Sequence, residues 1–224
     1  MPDLYTKSQP KTFISTKTNK MYEAISPKVL YFKNFYKDTE KFLEAIESSP
    51  PWEPWNSRGG QNIFTYGVLK TFHTQEYKQI ADINQKNSSK FIINAMKKIN
   101  LVCGSEYLKH FQCSDNELSR LKKSILTDKI IIGVKKYFEG GTTLGPHPDA
   151  DLQSSKDEIS ITFYPNDNYE GGELNFPDLG LTIKPEAGSV VIYPSKYLHE
   201  SFPVPTGEKL VSNHVYIGLE KIWK

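Results

Sequence analysis

Arginine is almost missing from this chain of 224 residues: of its 28 Lys+Arg, only Arg58 and Arg120 are arginines. The planar guanidinium fork is the group best suited to bidentate reading of phosphates and base edges. Its scarcity argues against a dedicated nucleic-acid binder. An excess of one charge is missing too. The 28 Lys+Arg face 26 Asp+Glu, a formal net charge of +2, which gives neither nucleic acid nor an anionic membrane a strong hold. Cysteine is limited to Cys103 and Cys113, too few for a disulfide framework, and both are read as buried or free thiols. No apolar run approaches the roughly 20 residues that cross a bilayer. Residues 1–11 lack the apolar stretch of a secretory signal. What remains, with 38% hydrophobic and 24% charged residues, is the composition of a soluble, cytoplasmic protein with one core, expected to be monomeric.

The texture changes along the chain, without internal repeats. Residues 1–24 are a polar arm rich in Lys and Thr. Residues 25–128 read as helical support with a possible substrate lid, and 129–224 as a strand-rich core, the two forming one integrated domain over 25–224. In the middle segment Val29–Phe32 is a strand candidate. Asp38 stands where it would cap a helix through about Ser48, whose Phe42, Leu43 and Ile46 share a face. Pro50-Pro51 stop that helix, and Pro and Gly punctuate the next ten residues. Residues 66–72 fit a flanking strand or part of the lid. Helical periodicity returns over 88–99 and 116–126, the second capped by Asp115 or Asn116. From Lys129 onward the spacing predicts strands near 130–138, 145–150, 158–164, 172–177, 180–184, 189–193, 199–203 and 209–218. Eight short strands in about 90 residues suggest a small barrel or jelly roll with the helices outside it. The fold class is α+β, mainly β.

The chemical signal is His147-Pro148-Asp149, separated by 49 residues from His199. Residues i and i+2 of a strand project to one face, so His147 and Asp149 aim an imidazole and a carboxylate at a common point. A second imidazole from a distant strand completes a two-histidine, one-carboxylate face. That set leaves three positions of an octahedral ion open and suits Fe(II), whereas structural zinc closes four positions, commonly with sulfur. Alone, His-x-Asp is a common pair. Lys209 adds weight: ten residues beyond His199 it opens the last strand, where a cation faces the same interior and can neutralise the remote end of a dicarboxylate. Parity puts Lys209, Val211, Asn213 and Val215 on one face and Leu210, Ser212 and His214 on the other, so His214 is not read as a ligand.

The segment 137–215 resembles the core of the prolyl 4-hydroxylase branch of the 2-oxoglutarate- and Fe(II)-dependent dioxygenases. Tyr137-Phe138-Glu139-Gly140-Gly141 precedes His147-Pro148-Asp149 at the family's interval. Ser160 to Asp167 resembles its "YLN-D" strand and turn, and Tyr169 to Phe176 its "GGeT-F" block. Lys184 to Ser189 resembles the "P-x-x-Gly" turn, and His199 to Lys209 the "H-x-x-x-PV-x-x-G-x-K/R" run. The resemblance implies a double-stranded β-helix (jelly-roll) core with N-terminal supporting helices. It implies that His147, Asp149 and His199 bind Fe(II) and that 2-oxoglutarate and O2 are co-substrates, with ascorbate as a supporting reductant. Lys209 would pair with the C5 carboxylate of 2-oxoglutarate. Tyr164 would hydrogen-bond the same carboxylate, and Tyr137 would lie near the co-substrate's metal end. The implied activity is a procollagen-proline 4-dioxygenase-like hydroxylation of peptidyl proline, with decarboxylation of 2-oxoglutarate to succinate and CO2. Because ligand imidazoles must be deprotonated, metal binding should weaken below about pH 6. Two positions depart from the pattern: Pro148 between the ligands, and Val215 where relatives often carry Trp.

Other features carry two readings. Trp52, Trp55 and Arg58 form either a lid over the substrate groove or ordinary packing of a loop onto the barrel. Asp151, Asp157 and Glu158 form an acidic loop that is either solvated or selects a basic peptide. Lys135-Lys136 and Lys122-Lys123 are taken as solvated faces, and His73 and His110 as surface or hydrogen-bonded histidines. The same chemistry on a free amino acid, a small metabolite or an alkylated base is the competing assignment, and the absence of arginine after His199 disfavours the last. A non-catalytic metal- or ligand-binding barrel is the third, disfavoured by the intact set of His147, Asp149, His199 and Lys209.

Overall fold

The computed structural model describes residues 21–54, 67–73, 76–127, 131–140, 145–150 and 157–219. Two antiparallel sheets face each other. The larger contains β1 (Glu23–Ser26), β2 (Val29–Phe32), β3 (Glu53–Pro54), β4 (Gly67–His73), β5 (Ile131–Tyr137), β6 (Asp157–Tyr164), β9 (Ser189–Pro194) and β11 (Lys209–Leu219), in the spatial order β1-β2-β9-β6-β11-β5-β4-β3. The smaller is β10-β7-β8, with β7 at Leu174–Phe176, β8 at Leu181–Ile183 and β10 at Glu200–Ser201. Three helices, α1 (Thr39–Glu47), α2 (Ile83–His110) and α3 (Asp115–Leu126), cover the outer face of the larger sheet.

Strand periodicity sorts the buried residues into two cores. Outward-facing Leu30, Phe32, Ile132, Val134, Ile159, Ile161, Phe163, Val190 and Ile192 pack with Phe42, Ile46, Met96, Ile99 and Leu121 of the helices. The alternate residues, Val29, Tyr31, Tyr164, Val191, Tyr193 and Val211, meet Leu174, Phe176 and Ile183 of the small sheet. Both faces of β6 and β9 are therefore covered, and their visible residues are buried throughout.

Several expectations change. The strand over 145–150 is not formed; instead His147 and His199 make an isolated antiparallel bridge. Among the described residues the sheets face each other without closing into a barrel. Residues 25–128 do more than support, because strands from this half extend the large sheet at both edges, and residues 67–73 are the flanking strand of the two alternatives. The helix over 88–99 runs from Ile83 to His110, with the Asp82 side chain accepting from Gln85 N at 2.8 Å. Its apolar pattern is interrupted by buried Ser89, Asn100 and Ser105. Gly104 also reads as a breaker, but α2 passes so close to its neighbours there that a Cβ would meet Leu121 at 3.0 Å and Ile161 at 3.1 Å. Asp38 occupies the α1 cap position without a side-chain capping bond. The α3 cap is Ser114, one residue before Asp115, and its hydroxyl accepts from Glu117 N. Cys103 and Cys113 are free thiols, the first buried. No helix among the described residues is long and apolar enough to cross a membrane.

Candidate active site

The His147–His199 bridge brings the two imidazoles together. Each backbone N–H donates to the other's carbonyl, at 3.0 and 3.1 Å, and the ring centroids lie 4.7 Å apart. Asp149 N donates to Ser195 O at 2.9 Å, so residues 147 and 149 both anchor to the segment that leads to His199. Pro148 between them lacks the N–H that such anchoring uses at its neighbours, and a proline is accommodated there. Each ring's Nδ1 lies beside a backbone carbonyl: His147 on Gly145 O at 2.8 Å, His199 on Tyr197 O at 3.1 Å. A carbonyl only accepts, so Nδ1 carries the proton and Nε2 presents its lone pair, the form that ligates metal. Burial pushes the His199 imidazole below its usual pKa, only partly offset by Asp149 and the Tyr197 carbonyl. This also favours the neutral ring.

His147, Asp149 and His199 each offer one ligand atom, all within 4.8 Å of one another. Small side-chain rotations would bring two nitrogens and one oxygen onto a single ion, a donor set that fits Fe(II) with open positions. Burial alone would raise the Asp149 carboxyl. The charge of His199, hydrogen bonds from Ser160 and Asn213, and the Lys135 ammonium outweigh it and hold the group below the ordinary carboxylate value.

The same cleft holds Lys209, Tyr137 and Tyr164. Lys209 is 1% exposed. Its Nζ donates to Gly172 O and Ser201 Oγ, both at 2.5 Å, and lies 5.4 Å from the ring centres of Tyr137 and Tyr164. Burial pushes this amine down to about 7, with Glu173 opposing the shift and Lys135 adding to it. Tyr137 is the register partner of Lys209 across β5 and β11, so its described contact is with the ammonium. Gly171 and Gly172 make this possible. Both adopt positive φ, +66° and +65°, and a Cβ on Gly172 would meet Lys209 Cδ at 2.9 Å. Only glycine combines that backbone with so close an approach. Asn166 clamps the strand that carries Lys209, accepting from Leu210 N at 2.9 Å and donating to Glu208 O at 2.7 Å.

Of the remaining candidate residues some follow the sequence expectations and others depart from them. Trp52 packs beside the helix-facing core, flanked by Lys70 and Lys136 ammoniums at 4.8 Å each, and does not line the cleft. Trp55, Arg58 and Asp151 lie outside the described residues. Asp157 and Glu158 open β6 instead of forming a loop, and Glu158 is buried. Lys135 lines the cleft, a correction to its placement on a solvated face, whereas Lys136 pairs with Glu208 at 3.1 Å. His214 falls on the other face from Asn213 as parity required, and burial pushes its imidazole down to about 4. His110 bonds Tyr22 at 3.2 Å and His73 lies 3.9 Å from Glu76. The cleft-lining residues not foreseen are Thr162, Tyr193 and Ser201, and behind them the fully buried Ser160 bonds Asp149. Their signal was available for β6, where small hydroxyls alternate with Ile159, Ile161 and Phe163, a pattern that an apolar core does not need.

The architecture and the cleft define a class: a mainly β protein with a candidate two-histidine, one-carboxylate metal site beside a buried lysine. Residues 132–216 match the model of the 2OG-Fe(II) oxygenase superfamily. His147, Asp149, His199 and Lys209 all fall inside this matched segment, so the whole candidate metal site lies in the stretch that is similar to that superfamily. A PKHD-type hydroxylase of Shewanella baltica strain OS155 is 40% identical over 81 residues, covering 32% of this chain and 36% of the relative. One from Cupriavidus pinatubonensis is 34% identical over 80 residues, covering 34% of each chain. The chain thus matches about a third of the length of these relatives. Among solved structures, a Pseudomonas putida prolyl-4-hydroxylase aligns at TM-score 0.50 with 16% identity, covering 83% of this chain and 90% of that one. A Trichoplax adhaerens prolyl hydroxylase, in complex with a hypoxia inducible factor peptide fragment, aligns at 0.53 with 14% identity, covering 84% and 82%. These likenesses concern the fold.

Proposed function

We propose that this chain is a 2-oxoglutarate- and Fe(II)-dependent dioxygenase, with a double-stranded β-helix core, that hydroxylates prolyl residues at the 4 position in a peptide or protein. The observation that carries this reading is the convergence of His147, Asp149 and His199 in a cleft that also contains the buried amine of Lys209. His147, Asp149 and His199 would hold Fe(II). Bound with 2-oxoglutarate and O2, the iron would supply C–H hydroxylation coupled to formation of succinate and CO2. The two Nδ1–carbonyl bonds keep both imidazoles in the ligating tautomer. Lys209 would receive the C5 carboxylate, exchanging its bonds to Gly172 and Ser201 for a charge-assisted one. Tyr164 would donate to the same carboxylate, and Tyr137 would wall the cleft beside the ammonium. The fold neighbour from Trichoplax adhaerens, a prolyl hydroxylase in complex with a peptide fragment, supports a peptidyl substrate.

The test is succinate formation from 2-oxoglutarate with Fe(II), with and without proline-rich peptides. Succinate made in step with a gain of one oxygen atom on peptidyl proline is the expected result. Turnover driven only by free amino acids or small metabolites would replace the peptide assignment. Iron binding with no turnover of any substrate would leave a non-catalytic barrel.

A further inference from the structure

Asp149 receives its hydrogen bonds on one oxygen. Oδ2 accepts from Ser160 Oγ at 2.6 Å, Asn213 Nδ2 at 3.0 Å and Tyr193 OH at 3.2 Å, and no described residue donates to Oδ1. A carboxylate oxygen offers about two lone-pair sites, so three donors leave Oδ2 fully engaged. Oδ2 also lies 3.6 Å from His199 Nε2, beyond hydrogen-bonding range.

The donors are themselves fixed. They come from β6, β9 and β11, which are neighbours in the sheet, and Ser160 is the register partner of Tyr193. Thr162 is the register partner of Asn213, and its hydroxyl donates to Asn213 Oδ1 at 3.3 Å, turning the amide nitrogen towards Asp149. The Ser160 and Ser195 hydroxyls lie 2.8 Å apart, and the Tyr193 ring packs 5.0 Å from Phe176 and 4.9 Å from His199. Ser160 and Tyr193 are both buried.

We propose that Ser160, Tyr193 and Asn213 are positioning residues that confine Asp149 to ligation through one oxygen, so that three positions on the metal stay available to small molecules. The inference rests on the reading of His147, Asp149 and His199 as the iron ligands. The count explains why it matters. Two imidazoles and one carboxylate oxygen occupy three of six positions, and an α-keto acid that chelates through two atoms leaves one for O2. A carboxylate ligating through both oxygens would take that last position. With Oδ2 committed to three protein donors, the second oxygen is not available for it.

The test uses Mn(II) with the full chain, without co-substrate. The double variants Ser160→Ala/Tyr193→Phe and Tyr193→Phe/Asn213→Ala are made separately; each leaves a single donor on Oδ2, so one of its two lone-pair sites is freed, and loss of fold in one leaves the other to decide. Two quantities are read: the Mn(II) dissociation constant, and the relaxation of water protons per bound Mn(II), which scales with the number of exchangeable waters. The expected results are a dissociation constant raised about tenfold or more and a relaxivity lowered by about a third, as one of three water positions is lost. A purely structural role would not lower relaxivity. Wild-type values of both quantities in the folded variants would overturn the inference and leave the proposed function standing. Failure of the wild-type chain to bind Mn(II) would overturn the ligand assignment itself, and the inference with it.

Discussion

Ile159, Ile161 and Phe163 point from β6 into the helices, while Ser160, Thr162 and Tyr164, one residue out of step on the same strand, point towards the cleft. All six are buried. The outward three offer no hydrogen-bonding group and contribute through packing. Phe163, for example, meets Phe42 and Tyr36 edge to face, with centroids 5.2 and 5.7 Å away. Of the inward three, Ser160 donates to Asp149 and Thr162 bonds Asn213, while Tyr164 flanks Lys209. Burial alone therefore does not separate residues that hold the fold from residues that build the site. The separation lies in which buried residues carry polar atoms and what those atoms face.

The largest effects should split along this division. His199→Ala, on the cleft side, is expected to reduce Fe(II)-dependent succinate formation to background while the protein remains folded, as read by circular dichroism. Phe163→Ala, on the helix side, is expected to cost roughly 3–5 kcal/mol of stability, measured by urea unfolding, with turnover per folded molecule retained. Unchanged turnover in His199→Ala would sink the ligand assignment. Equal losses of stability in the two variants would erase the contrast between the faces.

A mid-sized effect concerns Lys209, a cleft residue whose burial disfavours its charged form. Folding lowers its amine from 10.5 to about 7. Between those values the unfolded chain binds more protons, so stability should rise as pH climbs from about 7 towards 10.5. Below about 7 both states are protonated and the whole penalty is felt. A bound dicarboxylate favours the charged amine, so above pH 7 its binding takes up a proton and should weaken as pH rises. Melting curves and 2-oxoglutarate affinity measured from about pH 6.5 to about pH 9 test both slopes. Lys209→Ala should flatten both and mainly raise the 2-oxoglutarate requirement. An affinity for 2-oxoglutarate that does not change with pH would separate Lys209 from the co-substrate.

Much of this division is legible in the residues themselves. The spacing of His147, Asp149, His199 and Lys209, and the parity that put Asn213 with Lys209 and His214 opposite, follow from the two-residue strand repeat. The strands of the second half, apart from 145–150, fall where their turns predict. The hidden parts are those that depend on pairing between distant strands. Ser160 faces Tyr193 and Asp149 only through the β6–β9 register, and no local pattern announces it. Lys135, by contrast, is within reach of the strand repeat: it stands two residues before Tyr137 on β5, shares that residue's face and enters the cleft with it. The full length of α2 escapes the apolar repeat because Gly104, Asn100 and Ser105 interrupt it while tertiary contacts on α3 and β6 sustain the helix.

The smallest effect tests how far the helical layer can be weakened before the cleft responds. Ser114 caps α3 through its bond to Glu117 N at 3.3 Å, and α3 is attached through buried Leu121 and Ile125. Ser114→Ala should cost about 1 kcal/mol, read as a lower urea midpoint with an unchanged denaturant slope. The cleft residues come from strands joined by backbone bonds and do not draw on this cap, so Mn(II) affinity and 2-oxoglutarate requirement should stay at their wild-type values. If either moved with so small a loss at the far side of the sheet, the two faces of β6 would be energetically coupled. The helix-facing residues would then have to be counted as part of the site's support.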